Sequence, residues 1–244
     1  MLLPKRIEPN RIKDSLVEVR FTSKLPYEIY LGLIYKSLEV NYKYTNRPQN
    51  PQKTINLPID GDREIKLSLG SGSSLFYNDF IKFEIQRGAI IFNCFDKYVS
   101  WEIYKDEIIK VLRHLHNSNV VELYNRIGVR YISEYQDLDI KDITKFEFTF
   151  GLPEVSSDNY SFKAEYIRYE SRIIISLTSR LPVVTSDAQK KIVTAIDIDV
   201  IKEKFDTSDL DNLIQVLEDA HEVEKMTFFS LLKDDFLQSL NPEY

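Results

Sequence analysis

Apolar and polar positions alternate early in the chain. Val17, Val19 and Phe21 interleave with Glu18 and Arg20, which predicts a strand over 15–22 with one face buried and the other polar. The period then changes. Pro26 stands at a helix-start position, and Ile29, Tyr30, Leu33, Ile34 and Leu38 follow at helical spacing, predicting a helix over 26–40. Residues 41–61, with Pro48, Pro51 and Pro58, read as a polar excursion around a short strand. Strand patterns follow at Glu64 to Leu69 and in a hairpin of Phe80 to Gln86 and Ala89 to Phe95, with Arg87-Gly88 at its turn.

Trp101, Tyr104, Ile108, Val111, Leu112 and Leu115 mark an amphipathic helix over 98–116. A long strand is predicted from Val120 to Tyr135, with Val121, Leu123, Ile127, Val129, Tyr131 and Tyr135 on one face. Phe146 to Leu152, Tyr160 to Tyr169, Arg172 to Arg180 and Lys191 to Ile201 add further strands. A long helical region closes the chain, opened by Ser208 as N-cap with Asp211 three residues on and ended by Asn241-Pro242. The expected core includes Val17, Val19, Phe21, Trp101, Val129, Tyr131, Leu217 and Phe228.

The two halves resemble each other. Val19-Arg20-Phe21-Thr22-Ser23 has a counterpart in Val129-Arg130-Tyr131-Ile132-Ser133, at an offset of 110. Each copy is followed by a hairpin with Lys-x-Glu, Lys82-Phe83-Glu84 and Lys163-Ala164-Glu165, and then by an amphipathic helix. The expected fold is therefore α+β: a broad antiparallel sheet from two related halves, 1–118 and 119–244, joined as one continuous structural unit, with helices on one face and the long C-terminal helical region as main cover.

Composition narrows the classes. With 244 residues, 43% hydrophobic positions and 15 Tyr, 14 Phe and 1 Trp, the chain has the apolar area that a disordered protein lacks. The single cysteine, Cys94, excludes an intramolecular disulfide and points to a cytoplasmic setting. No apolar run approaches the roughly twenty residues of a membrane span. A net charge of −6 disfavours a binder that works by neutralising phosphates.

Three segments carry a family resemblance: Ser15-Leu16-Val17-Glu18-Val19-Arg20-Phe21, Arg126-Ile127-Gly128-Val129-Arg130-Tyr131-Ile132, and Leu217-Glu218-Asp219-Ala220-His221 followed by an apolar helix. Together they resemble a sporadically distributed bacterial family of uncharacterised proteins. The resemblance implies a chain of this length without an established activity. The patchy distribution implies an association with defence or toxin–antitoxin loci, and names no chemistry.

Candidate chemistry is sparse. His114 and His116 are two apart on a helix and point away from each other, so they do not form a metal pair. His221, in the stripe of Leu210, Leu213, Leu217, Phe228 and Leu232, is read as a helix-face histidine satisfied by one hydrogen bond to a strand. Asp197 and Asp199 share a strand face at a spacing that suits a hard cation, and alternation with Ile196, Ile198 and Val200 makes them equally an acidic face in water. Gly70-Ser71-Gly72-Ser73-Ser74 lacks the Gly-Lys-Ser/Thr ending of a phosphate loop and reads as a turn. Cys94 reads as a core residue.

Arg20, Arg126 and Arg130 are the best candidate ligand-binding residues, all opposite the apolar strand face. They have two readings: a cross-strand ladder with Glu18, Glu122 and Glu134, or paired donor forks near a pseudo-twofold axis that hold a phosphate, a carboxylate or an acidic segment. The leading expectation is a non-enzymatic cytoplasmic interaction or regulatory protein with a protein partner, no catalytic residues, no metal and no cofactor. The alternative is a nucleic-acid or nucleotide binding module using the three arginines, and a hydrolase with a non-standard site comes third. Homo-oligomers are compatible with either of the first two readings.

Overall fold

The computed structural model describes residues 3–46, 74–147, 159–184 and 190–244. Its first strand, β1 (Ile12–Thr22), buries Val17, Val19 and Phe21 and turns Glu18 and Arg20 to the other face. Pro26 then sets φ at −55° and the chain enters helix α1 (Tyr27–Leu38), which buries Tyr30, Ile34 and Leu38. Two short strands, β2 (Lys43–Asn46) and β3 (Ser74–Tyr77), lead to the hairpin of β4 (Ile81–Gln86) and β5 (Ala89–Cys94). Gly88 in its turn has φ of +71°, and a Cβ there would lie 3.1 Å from the Phe21 carbonyl oxygen, so both the turn and the close approach of β1 require glycine. Tyr30 pins α1 to this hairpin. Its hydroxyl donates to the Gln86 carbonyl at 2.9 Å and accepts from the Gly88 N–H at 2.9 Å.

Helix α2 (Trp101–Asn117) starts where Ser100 Oγ accepts from the Ile103 N–H, and it buries Tyr104, Ile108, Val111, Leu112 and Leu115. The second half runs β6 (Leu123–Gln136), the one-turn α3 (Ile140–Ile143), β7 (Tyr160–Arg168), β8 (Ser171–Val184), β9 (Lys190–Lys202), α4 (Leu210–Leu231) and α5 (Asp234–Ser239). The described strands form one antiparallel nine-stranded sheet in the order β2-β3-β4-β5-β1-β6-β9-β8-β7. The described helices pack on the face that carries Val17, Val19, Val129, Ile198 and Val200, making an α+β protein with one helix-covered sheet face. No described helix is long and apolar enough to cross a membrane.

β1 and β6, one from each half, are the central pair. Glu18 stands opposite Gly128, Val17 opposite Val129 and Val19 opposite Ile127. Positions 110 apart therefore exchange partners about the Glu18/Gly128 pair. The flanking strands keep the same offset: Ile90 of β5 lies beside Val19 and Val200 of β9 beside Val129, and Ile91 lies beside Glu18 as Ile201 lies beside Gly128.

Several local expectations change. The predicted Glu64 to Leu69 strand and residues 70–73 of the glycine-serine run lie outside the described residues, while Ser74 begins β3. Phe146 and Glu147 are not in a strand, and the rest of the predicted 146–152 strand lies outside the described residues. The β1–β6 register shifts between Arg20 and Phe21, so Tyr124 is buried and Leu123 is not. Asp209, not Ser208, caps α4, its carboxylate accepting from the Asp211 N–H at 3.0 Å. The C-terminal helical region is broken at Leu232 and Lys233, because Leu232 is buried in extended conformation and bridges to Thr144 while the Lys233 N–H donates to the Ile143 carbonyl at 3.0 Å. Phe229 is buried and Phe228 only partly so, and Trp101 is likewise half-buried. The two Lys-x-Glu segments fall on β4, the third strand from one edge of the sheet, and on β7, the strand at the other edge.

Candidate functional site

The face opposite the helices collects the charged side chains of the central strands. Strand alternation alone puts them there: each apolar residue turned into the core sends its neighbour outward. Glu18 is the hub on β1. It takes the Arg20 Nε as a hydrogen-bond donor, and Arg126 Nη1 of β6 lies 2.7 Å from its other oxygen, at an angle outside that of a hydrogen bond. Arg126 Nε reaches Glu203, just past β9, at 3.1 Å, and Glu203 also takes Arg172 Nη2 of β8 at 3.1 Å. Arg172 Nη1 lies 3.6 Å from Glu165 of β7. Alternating charges thus run from β1 to β7.

Arg130 has a separate partner. Its guanidinium grips Asp197 with two parallel bonds, Nε to Oδ1 at 2.8 Å and Nη2 to Oδ2 at 2.7 Å. The grip is diagonal, since Arg130 stands opposite Asp199 in the register and Ile132 opposite Asp197. Burial pushes Asp199 above the usual carboxylate range, with Arg130 and Arg126 opposing that rise. Burial also pushes Glu18 up, but the guanidinium groups of Arg20 and Arg126 outweigh it and leave that carboxyl below its ordinary value. Asp197 and Asp199 are therefore half-buried beneath arginines and do not form the water-facing acidic edge expected from the pattern. Among the described residues no group of three or more His, Cys, Asp or Glu side chains could hold a metal.

The three arginines are not brought into one fork. Arg20 stands opposite Arg126 with Glu18 at hand to both, whereas Arg130 stands opposite Leu16, four residues along β1 from Arg20 and so roughly 13 Å away along the strand. Glu18 belongs to the expected ladder, but Glu122 pairs with Lys24 at 3.3 Å, and the partners of Arg126 and Arg130 include Glu203 and Asp197 from beyond the anticipated set. Those partners come from a strand that pairs with β6 only after some seventy intervening residues, which short-range spacing does not reveal.

A second polar cluster lies inside, between α2, α4 and the sheet. His221 does not make the expected bond to a strand: its ring lies parallel to Trp101 with centroids 3.8 Å apart, Tyr131 meets it edge-on at 6.0 Å, and its buried Nδ1 has no hydrogen-bond partner. Burial, with help from Lys225 and Lys105, lowers its pKa to about 3, so the imidazole is neutral near pH 7. Trp101 Nε1 donates to Glu218 at 3.0 Å, and Lys105 reaches the same carboxylate at 2.5 Å, tying α2 to α4. Glu224, three residues beyond His221, is buried and its carboxyl is pushed well above the usual range by desolvation. Its place on the inward stripe follows from helical spacing after Leu217 and Ala220. Cys94 is buried and its thiol is pushed up by desolvation, which fits a core residue.

No model of a known protein family matches the chain, and a search of curated proteins likewise finds no match. The geometry of the two clusters therefore carries the functional reading.

Proposed function

We propose that the protein is a non-enzymatic interaction or regulatory protein whose charged sheet face, opposite the described helices, receives a protein partner. The carrying observation is that Arg20, Arg126 and Arg130 are each already held by a carboxylate of the same face. A phosphate group would have to displace Asp197 from a two-bond grip, or Glu18 and Glu203 from Arg126, leaving half-buried carboxylates unpaired. A protein partner can instead add its own donors and acceptors around an internally neutralised surface. The nucleic-acid or nucleotide reading stands second on these grounds, and the bacterial defence or toxin–antitoxin setting rests on the family resemblance alone.

The related-halves reading belongs to the same proposal. It is supported by the partner exchange about Glu18 and Gly128 and by the shared offset of 110 between β1 and β6 and between β5 and β9. Independent strands would have no reason to share one offset. An ancestral unit pairing with itself through its first strand accounts for this register.

Binding measurements separate the two functional readings. Titrated with ATP and with a labelled single-stranded oligonucleotide at about 0.15 M salt, the protein is expected to show no saturable binding. Lys82 of β4 lies on the same face, through its register with Asn93 of β5 and of Asn93 with Leu16 of β1. Tagged protein from its native host is expected to hold a stoichiometric protein partner that Arg20→Glu and Lys82→Glu together release. Saturable nucleotide or oligonucleotide binding that weakens with salt and is lost in both Arg130→Ala and Arg130→Lys would overturn the proposal.

A further inference from the structure

Helix α1 is apolar on both sides. Tyr30, Ile34 and Leu38 face the sheet and Tyr35 packs edge-on against Tyr44 of β2, yet Ile29 is 53% exposed and Leu33 45%, with Val40 just beyond the helix 86% exposed. A helix that serves only to cover a sheet keeps its outer side polar. An exposed run of this kind marks a contact surface.

Gly32 lies at the centre of that outer side, one turn after Glu28 and one turn before Lys36. A Cβ built on Gly32 meets nothing within 4 Å, so packing within the chain does not require a glycine there. An interior helical glycine costs about 0.5 to 1 kcal/mol relative to alanine. What it offers in return is a bare strip of backbone that a second helix can approach closely.

The geometry points to a second copy of this chain as the occupant, its α1 packed antiparallel on the first across a twofold axis at Gly32. In that arrangement Glu28 of one copy lies beside Lys36 of the other at both ends of the contact, and Ile29 and Leu33 of both copies leave water. A parallel arrangement would set Glu28 against Glu28 and Lys36 against Lys36, which is unfavourable. Glu28 is free to make the exchange, since its nearest described cation, Arg87, is 3.9 Å away and both side chains are mostly exposed. Two twelve-residue helices cover less than the roughly 1,600 Å² of a standard interface, so the dimer should be reversible, with a micromolar dissociation constant.

This surface is separate from the charged sheet face, and the inference does not rest on the function proposed for that face. Sedimentation velocity of the full chain from low to high micromolar concentration tests it. The wild type is expected to pass from monomer to dimer. Glu28→Lys and Lys36→Glu should each weaken association by roughly tenfold, and the double charge swap should restore it. Gly32→Leu should abolish the dimer while circular dichroism and the melting temperature show an intact fold. A wild type that stays monomeric throughout, a dimer indifferent to Gly32→Leu, or a double swap no better than the single variants would overturn the inference. A monomer that still binds a partner through Arg20 and Lys82 overturns this inference alone.

Discussion

The imidazole of His221 lies 3.8 Å from the indole of Trp101 and within 2° of parallel, so the contact between α2 and α4 centres on two stacked rings. The stack buries a basic group without a hydrogen bond to its Nδ1, and this makes folding sensitive to acid.

His221 is neutral in the fold down to about pH 3, whereas in the unfolded chain it takes up a proton near its ordinary value of 6.5. Between these values the unfolded state binds the extra proton, so the stability due to this group is present above pH 6.5 and lost as pH falls toward 3. Urea unfolding at pH 7 and at pH 4.5 should show a smaller loss for His221→Phe than for the wild type.

Glu224 has the opposite sign. Its folded pKa is raised, so its contribution is present below the ordinary glutamate value of 4.5 and is lost as pH rises through the elevated folded value. Glu224→Gln keeps the shape and removes the ionisation. It should raise the melting temperature at pH 8 and leave it nearly unchanged at pH 4; a variant that melts lower at both values would count against a protonated Glu224.

The Arg130–Asp197 grip is partly exposed, which limits its worth despite its two-bond geometry. A double-mutant cycle with Arg130→Ala and Asp197→Ala should give a coupling of about 0.5 to 1 kcal/mol in chemical unfolding. Arg130→Lys should recover only part of that coupling, because lysine cannot make the planar fork.

Phe21→Ala and Phe229→Ala should each cost about 3 to 5 kcal/mol, since both rings are buried. Phe228→Ala should cost clearly less. Thermal melts of the three variants check the order.

Local patterns in the sequence disclosed what depends on neighbours along the chain: the alternation of β1, the Arg87-Gly88 turn and the apolar stripe of α2 all stand in the fold. Features set by distant segments were not legible. The shift between Arg20 and Phe21 depends on pairing with β6, and it exchanges Leu123 for Tyr124 in the core. Phe228 and Phe229 are adjacent on one helix, and only the packing of α4 on the sheet selects the second. The break at Leu232 answers to Thr144, far away in sequence. For the charged face, the strand pattern placed Arg20, Arg126 and Arg130 on the correct side, but Asp197 and Glu203 became their partners only through the β6–β9 register.

The central pairing of β1 with β6 also sets a schedule for synthesis. As the chain emerges from the ribosome, β1 can zip to β5 as soon as the first hairpin is out, but its other margin stays open until β6 has been made. During that interval Leu16 to Arg20 offer an unpaired strand edge whose natural complement is a segment built to the same pattern. Crowded polysomes making this protein would therefore bring such edges from neighbouring nascent chains together.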